Sequence, residues 1–507
     1  MHSPPPRWRR LSTYLLAAGA ILILFAVWVF YKAMQPPGKP GRYADAMDAH
    51  VLEGQPADGP NGWDLLVDIN DVRVDAEAAV FTGPDADERR RNLDYSALYM
   101  PLDPDDRSDP EAVFNHEQRV ADARRVLEAI PLAEWDRSLD ELARSKRAFR
   151  PITRGPIVAM LLPDLGQTRA TARLLAARMR LAAEAGDLDA RARTFEHLLA
   201  VGRVAGRQST LIDRLVGLAV VSLALHRLRE DLVAFPLPPG QAGAVHAQRL
   251  ADILDRQARF EPLARVMQRE RLGILDTLEL VCTDDGAGDG WVMPARIRSL
   301  QALDIDTLNT PMSVGERLMT AAAVVLPSKK QYVAKTDLFF ARLSSICDQT
   351  RPVRRSLPSA DLWIETELSP RYFTLSLLLP ALERAASVDE VLRMHIAGTR
   401  LMLDLEHARR VAGSPPPSLD ALALVTKRPL PIDPVSGTRF GYRVLSAADA
   451  DPLGRAYLLY SVGDDAIDDD GVQVTTPTLD RLEAVNGSKG HGFDYVLNHA
   501  DAPAARP

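Results

Sequence analysis

One stretch constrains this chain more than any other. Leu11 to Tyr31 carries no charge, and Leu15 to Phe30 is an unbroken apolar run. At about 1.5 Å rise per residue, a helix over this stretch spans roughly 30 Å, the hydrocarbon thickness of a bilayer. In lipid every backbone N–H and C=O must be satisfied within the segment, so a single transmembrane helix is expected. Trp8 and Tyr14 lie near one end and Trp28 and Tyr31 near the other, as interfacial aromatics do.

The competing reading is a cleaved signal peptide. The apolar run exceeds the roughly 7–15 residues of such a segment. The best small-residue cleavage site ends at Ala33, but bulky Tyr31 stands two positions before it. No Cys directly follows the run to serve as a lipidation site. A permanent signal anchor is therefore expected. Arg7, Arg9 and Arg10 precede it, and Lys32, Lys39 and Arg42 follow it, so the charge bias is small. The short head favours a cytoplasmic N-terminus and an extracytoplasmic, periplasmic body.

The rest of the chain is long enough for an ample core and more than one domain. Its 46% hydrophobic and 25% charged residues are globular values. A net charge of −7 leaves no nucleic-acid footprint. Only eight of the 61 basic residues are Lys, a skew that reads as compositional rather than as a binding surface. Cys282 and Cys347 are the two cysteines; they are a disulfide candidate in an oxidising compartment, or else two buried thiols.

The expected division is a cytoplasmic head (1–10), a transmembrane helix (11–31), a linker (32–62), a helical body (63–387), an α+β module (388–500) and a disordered tail (501–507). The linker follows from the Pro- and Gly-rich stretch Gln35 to Gly62. Apolar spacing of 3.6 residues marks helices from Glu111 onward. Thr168 to Ala205 reads as an αα-hairpin broken at Gly186-Asp187. Leu211 to Phe235 reads as a buried helix, and Ala242 to Val281 as one long amphipathic helix or two. The fold class is thus mainly α: a helical-hairpin or bundle body after one transmembrane helix, with a small C-terminal α+β module.

The texture changes near Val388. A helix over Glu390 to Val411 leads into Gly413 and three prolines, and Ser418 caps a short helix, Leu419 to Thr426. Pro431-Ile432-Asp433-Pro434-Val435-Ser436-Gly437 is turn chemistry. Phe440, Tyr442 and Val444 alternate as in a strand, and Tyr457 to Val462 is a second strand. It runs into Gly463-Asp464-Asp465-Ala466-Ile467-Asp468-Asp469-Asp470-Gly471.

The order Pro431-x-Asp433-Pro434-x-x-Gly437-x-x-Phe440-x-Tyr442, then Tyr460-Ser461-Val462-Gly463-x-Asp465, resembles the soluble half of type II secretion major pseudopilins. It is also similar to the tails of uncharacterised membrane-anchored bacterial envelope proteins. The resemblance implies a bacterial inner-membrane location and a calcium ion pinning the loop, with Asp465 and Asp494 at the matching positions. Arg9-Arg10-Leu11-Ser12-Thr13 stands where that family carries its processing site, and the long helical insert separates anchor from module. A permanent tether is expected, not a filament subunit.

The loop also argues for itself. Calcium takes six to eight oxygens near 2.4 Å, which clustered carboxylates and loop carbonyls supply. The candidate ligands are Asp464, Asp465, Asp468, Asp469, Asp470 and Asp494. Aligning Gly471 with the invariant EF-hand Gly leaves Ala466 and Pro477 at the first and last ligand positions, so it is no EF-hand. The alternative is a solvated acidic loop.

No helical pair of His at zinc spacing, nucleophile elbow or phosphate loop is present. Glu196-His197 and Glu406-His407 are adjacent on helices and read as surface pairs. The expected function is a non-enzymatic interaction or scaffold protein, its partners the lipid bilayer and unknown envelope proteins. The alternatives are a hydrolase with an acidic site assembled in the fold, or a secretion-system accessory.

Overall fold

The computed structural model describes residues 21–472 and 494–498, apart from 302–311 and scattered positions within 101–105, 153–162, 348–384, 447–452 and 464–466. Helix α1 covers 21–33. It is followed by α2 (Ala44–Leu52), α3 (Gly62–Val80), α4 (Ala86–Arg91), α5 (Pro110–Ala129) and α6 (Leu132–Arg144). Next come α7 (Pro163–Glu184), α8 (Leu188–Ala205), α9 (Leu211–Ala234), α10 (Gln241–Gln257) and α11 (Leu263–Val281). Then follow α12 (Pro294–Gln301), α13 (Val314–Ala322), α14 (Lys329–Cys347), α15 (Leu382–Ala412) and α16 (Leu419–Thr426). Strands β1 (Gly441–Val444), β2 (Tyr457–Ser461) and β3 (Tyr495–Val496) complete the chain. The protein is mainly helical with one small sheet.

Local chemistry places the boundaries. Gly186, at φ 69°, reverses the chain between α7 and α8, and the Asp187 carboxylate accepts from Ala190 N to cap α8. Thr210 and Asp213 form a reciprocal capping box at the start of α9. The stretch from Ala242 to Val281 divides into α10 and α11 around Pro262. Helices α8 and α9 cross closely because Gly202 and Gly206 face Gly217. A Cβ on Gly217 would lie 2.4 Å from Gly206 Cα and 2.5 Å from Gly202 O.

One large core joins α3, α5 to α10, α15 and α16 to the sheet, and includes Trp135, Phe195, Leu225, Leu403, Phe440 and Leu459. The C-terminal module therefore shares its interior with the body. A second core gathers α2, α11 and α14 around Met47, Met267, Leu278, Tyr332 and Phe340. The sheet is antiparallel in the order β1-β2-β3, with Tyr442 opposite Leu459 and Ser461 opposite Tyr495. Alternation sends Tyr457 and Leu459 into the large core, while Leu458, Tyr460 and Val462 cluster on the other face.

The structure adds three findings. First, arginine serves the interior: Arg73, Arg191, Arg214, Arg229 and Arg269 are all fully buried. Arg203 shows why, donating to Gln257 Oε1 and to the carbonyls of Ser145 and Leu142 at 2.9–3.0 Å. The planar fork ties a helix end that would otherwise leave buried carbonyls unmet.

Second, Cys282 and Cys347 are both buried free thiols. Lys329 pairs with Glu279 and Arg271 with Asp337, so α11 and α14 run antiparallel. Cys282 caps the far end of α11 beside the start of α14, whereas Cys347 closes α14. A helix of 19 residues holds them on the order of 27 Å apart, beyond the reach of a disulfide.

Third, the linker stretch is packed onto the body. Gly38 N donates to Cys282 O, Asp284 N donates to Pro36 O at 2.8 Å, and Gly41 N donates to the Asp276 carboxylate. Part of the stretch is α2, with Ala44, Met47 and Val51 buried.

The transmembrane expectation falls only partly on described residues, since 11–20 lie outside them. Among the described residues no helix is long and apolar enough to cross a membrane. In the described portion, α1, most apolar side chains are exposed, from 46% at Trp28 to 69% at Leu24, while Val29 is half-buried and Ala33 is buried where the helix meets the body.

Candidate metal centre

Strand β2 delivers the chain into a turn at Gly463 (φ 71°), and β3 returns antiparallel beside it. This sets Asp494, just before β3, against the segment 467–472. Asp494 N donates to Val472 O, while its Oδ2 accepts from Gly471 N at 2.7 Å and Asp469 N at 3.1 Å. The turn needs left-handed backbone at Asp470 (φ 58°) and Gly471 (φ 77°), which Asp and Gly tolerate better than bulkier residues. Asp468 Oδ1 accepts from the Tyr460 hydroxyl and from Asp470 N, both at 2.9 Å.

Asp494 is 1% exposed, and its Oδ1 has no hydrogen-bond partner among the described residues. Asp469 Oδ2 is likewise buried and unpartnered. Burial, aided by the neighbouring charges of Asp468 and Asp469, pushes the Asp494 carboxyl up to about 6 despite its two backbone donors. Burial and the Asp468 bond also raise the Tyr460 hydroxyl above its usual range. Carboxylates with idle lone pairs, and no basic partner among the described residues, are the kind of group a hard cation takes.

Of the candidate ligands, Asp468, Asp469 and Asp494 meet around this turn. Asp470 shapes it through its backbone, and its side chain is exposed. Asp464 and Asp465 lie outside the described residues. Among the described residues no group of three or more His, Cys, Asp or Glu side chains forms a ready metal-ligand set. Tyr460 was not singled out as a site residue; its place one residue before Ser461 on β2 is what aims its hydroxyl at Asp468.

Two further expectations concern histidines. His197 is interior rather than a surface partner of Glu196: its Nε2 bonds Asp140 at 2.6 Å. Burial pushes His197 down; Asp140, despite its own desolvation, is held low at about 2 by Arg193 and His197. Glu406 is also buried, accepting from the Tyr457 hydroxyl, while His407 Nδ1 meets Ala244 O on α10. These pairs join elements of the bundle, and no nucleophile is bonded to either His.

A cleft of about 800 Å³ lies where the strap after α1 crosses the end of α11, and Asp45, Glu279, Asp284 and Asp285 line it. Glu279 is engaged by Lys329 and Arg42, and Asp285 by Lys32 at 2.9 Å. The bond from Lys32, with backbone donors from Ala287 and Asp289, holds Asp285 well below the usual carboxylate range. Such committed carboxylates fasten the strap; they are not poised for acid catalysis.

No family model matches this chain, and no curated protein or solved structure is significantly similar to it.

Proposed function

We propose that this is a single-pass membrane-anchored protein of interaction or scaffold type, its body extracytoplasmic and its C-terminal loop stabilised by calcium. The observation that carries the reading is α1: a helix whose apolar side chains are exposed over most of 21–31, continuing the uncharged run from Leu11, with its exit strapped to the body. Such a surface is stable in lipid and unfavourable in water. Carboxylates committed to interior ion pairs, such as Glu279 with Lys329 and Asp389 with Arg214, favour a surface that binds over a site that reacts.

In the module, Asp468, Asp469 and Asp494 would hold the ion, joined by Asp464 and Asp465 if the preceding turn closes on it. A cation there would neutralise charges that otherwise repel and would fix the β2–β3 connection. Calcium added to the full chain in detergent micelles is expected to raise its melting temperature, and a chelator to reverse this. A ligand present at 100 times its Kd contributes about 2.7 kcal/mol. A melting temperature indifferent to both would remove the calcium. Crosslinked affinity capture from solubilised membranes, with and without calcium, tests the scaffold reading. A reproducible envelope partner is expected; turnover of a wall or glycan substrate by the purified chain would instead make it a hydrolase.

A further inference from the structure

Helix α13 begins at a full capping box, in which Ser313 accepts from Glu316 N while the Glu316 carboxylate accepts from Ser313 N. The box fixes the helix and therefore its faces. One face turns inward, with Thr320 and Ala323 buried. The other carries Val314, Leu318 and Ala322, exposed at steps of four residues, and the 3-10 turn that follows the helix (Ala323–Val325) ends in exposed Val325. Val314 is 76% exposed, Leu318 61% and Val325 67%. Steps of four place the three helical residues on one face, and Val325 extends the apolar stripe past the helix end. No described residue covers it, and an uncovered apolar stripe on a capped helix calls for an apolar environment.

Its position identifies that environment. Arg317, beside Leu318, donates from Nη1 to Met34 O at 2.9 Å, at the point where α1 ends. Trp28 of α1 packs edge-on against Trp291 of the body, ring centroids 5.2 Å apart. Trp28 precedes Met34 by about 9 Å of helix, so the body meets α1 over the length where an interfacial aromatic belt forms. At the other end of the stripe, exposed Arg371 donates to Val325 O. Cationic side chains thus flank apolar ones at the mouth of the anchor, the arrangement of a helix lying in a headgroup layer.

We infer that the stripe Val314–Leu318–Ala322–Val325 is a second, peripheral membrane contact: α13 lies in the lipid interface that α1 enters and fixes the tilt of the body on the bilayer. The inference rests on the anchor reading, and its occupant is lipid, with anionic headgroups met by Arg317 and Arg371. A contact set apart from α1 would add a second restraint on how the body sits over the bilayer.

The test uses the full chain reconstituted in phosphatidylcholine/phosphatidylglycerol vesicles. An environment-sensitive fluorophore is placed at Leu318→Cys and, as a control, at Val245→Cys, which is exposed on α10. The natural thiols are buried and stay unlabelled in the folded protein. The label at 318 is expected to shift to the blue, to lose emission to lipid-borne doxyl groups and to resist aqueous iodide; the control is expected to do the reverse. Retention of the vesicle-bound chain through an alkaline wash is scored on the same sample. A retained chain whose 318 label reads as water overturns the inference and leaves the anchor standing. A 318 label shielded from iodide but unquenched by doxyl lipid overturns it in favour of a protein contact. A chain washed off the vesicles overturns both. Leu318→Ser, which spares the capping box, is expected to reduce doxyl quenching of a label at Val325→Cys; unchanged quenching there also counts against the inference.

Discussion

At the scale of single residues, Asp494 connects fold and ion most directly. Its carboxyl is raised in the folded protein to about 6, above the value it takes unfolded. Between roughly pH 4 and pH 6 the native state then holds more protons than the unfolded state, so stability falls as pH rises through this window. Thermal melts of the full chain across that range, in chelator, should show the fall; calcium should flatten it, since the ion takes the place of the proton. Asp494→Asn should remove both the pH dependence and the response to calcium. Melts of that variant that still track pH and calcium as before would show that another group is responsible. Arg269 offers a contrasting case without a ligand: it binds Glu261 and the carbonyls of Gln208 and Ser209 from a fully buried position. Arg269→Ala should lower stability by roughly 3 kcal/mol in denaturant titration, because the partners are left unmet.

Elements differ in how openly the chain announces them. The hairpin of α7 and α8 was legible because Gly186 and Asp187 break an otherwise continuous 3.6-residue pattern, and both do the expected work. The short helix α16 and strands β1 and β2 were legible from Ser418, from the Asp433 turn and from alternation at Phe440 and Tyr442. Strand β3 was not, because two residues carry no periodicity and Tyr495-Val496 is defined only by its partner β2. The glycine crossing of α8 and α9 was equally hidden, since Gly202, Gly206 and Gly217 acquire meaning only when two helices meet. Gly217→Ala should destabilise the protein by about 1–3 kcal/mol, as overpacking against Gly202 O and Gly206 Cα forces the helices apart. A melting temperature equal to the parent's would mean the crossing can relax. Thr210→Ala, which dismantles the capping box of α9, should lower stability by about 1 kcal/mol.

At the scale of the molecule, apolar spacing at 3.6 residues pointed to a helical body, but the sequence could not show how many arginines lie inside, because ion pairs in the core join residues far apart in sequence. Arg214 and Asp389, one such pair, stand 175 positions apart. The stretch after the anchor misled in the opposite way. Proline and glycine suggested a free linker, yet Pro36, Gly38 and Gly41 let the backbone run flat along the end of α11, where a Cβ at Gly38 would lie 2.5 Å from Glu279 O. The candidate ion site was legible as a cluster of Asp; the burial of Asp494 was not, since it depends on β3.

The strap ties the proposed anchor to the body: α1 hands over within a few residues, through Lys32 and Asp285, Met34 and Arg317, and Pro36 and Asp284. Everything proposed about location depends on α1 residing in lipid. The direct measurement is an alkaline carbonate wash of membranes from cells producing either the full chain or a chain that starts at Met34. The full chain should stay in the membrane pellet and the shortened one should be released, peripheral contacts being stripped by the wash. Release of the full chain, or retention of the shortened one, would contradict the account.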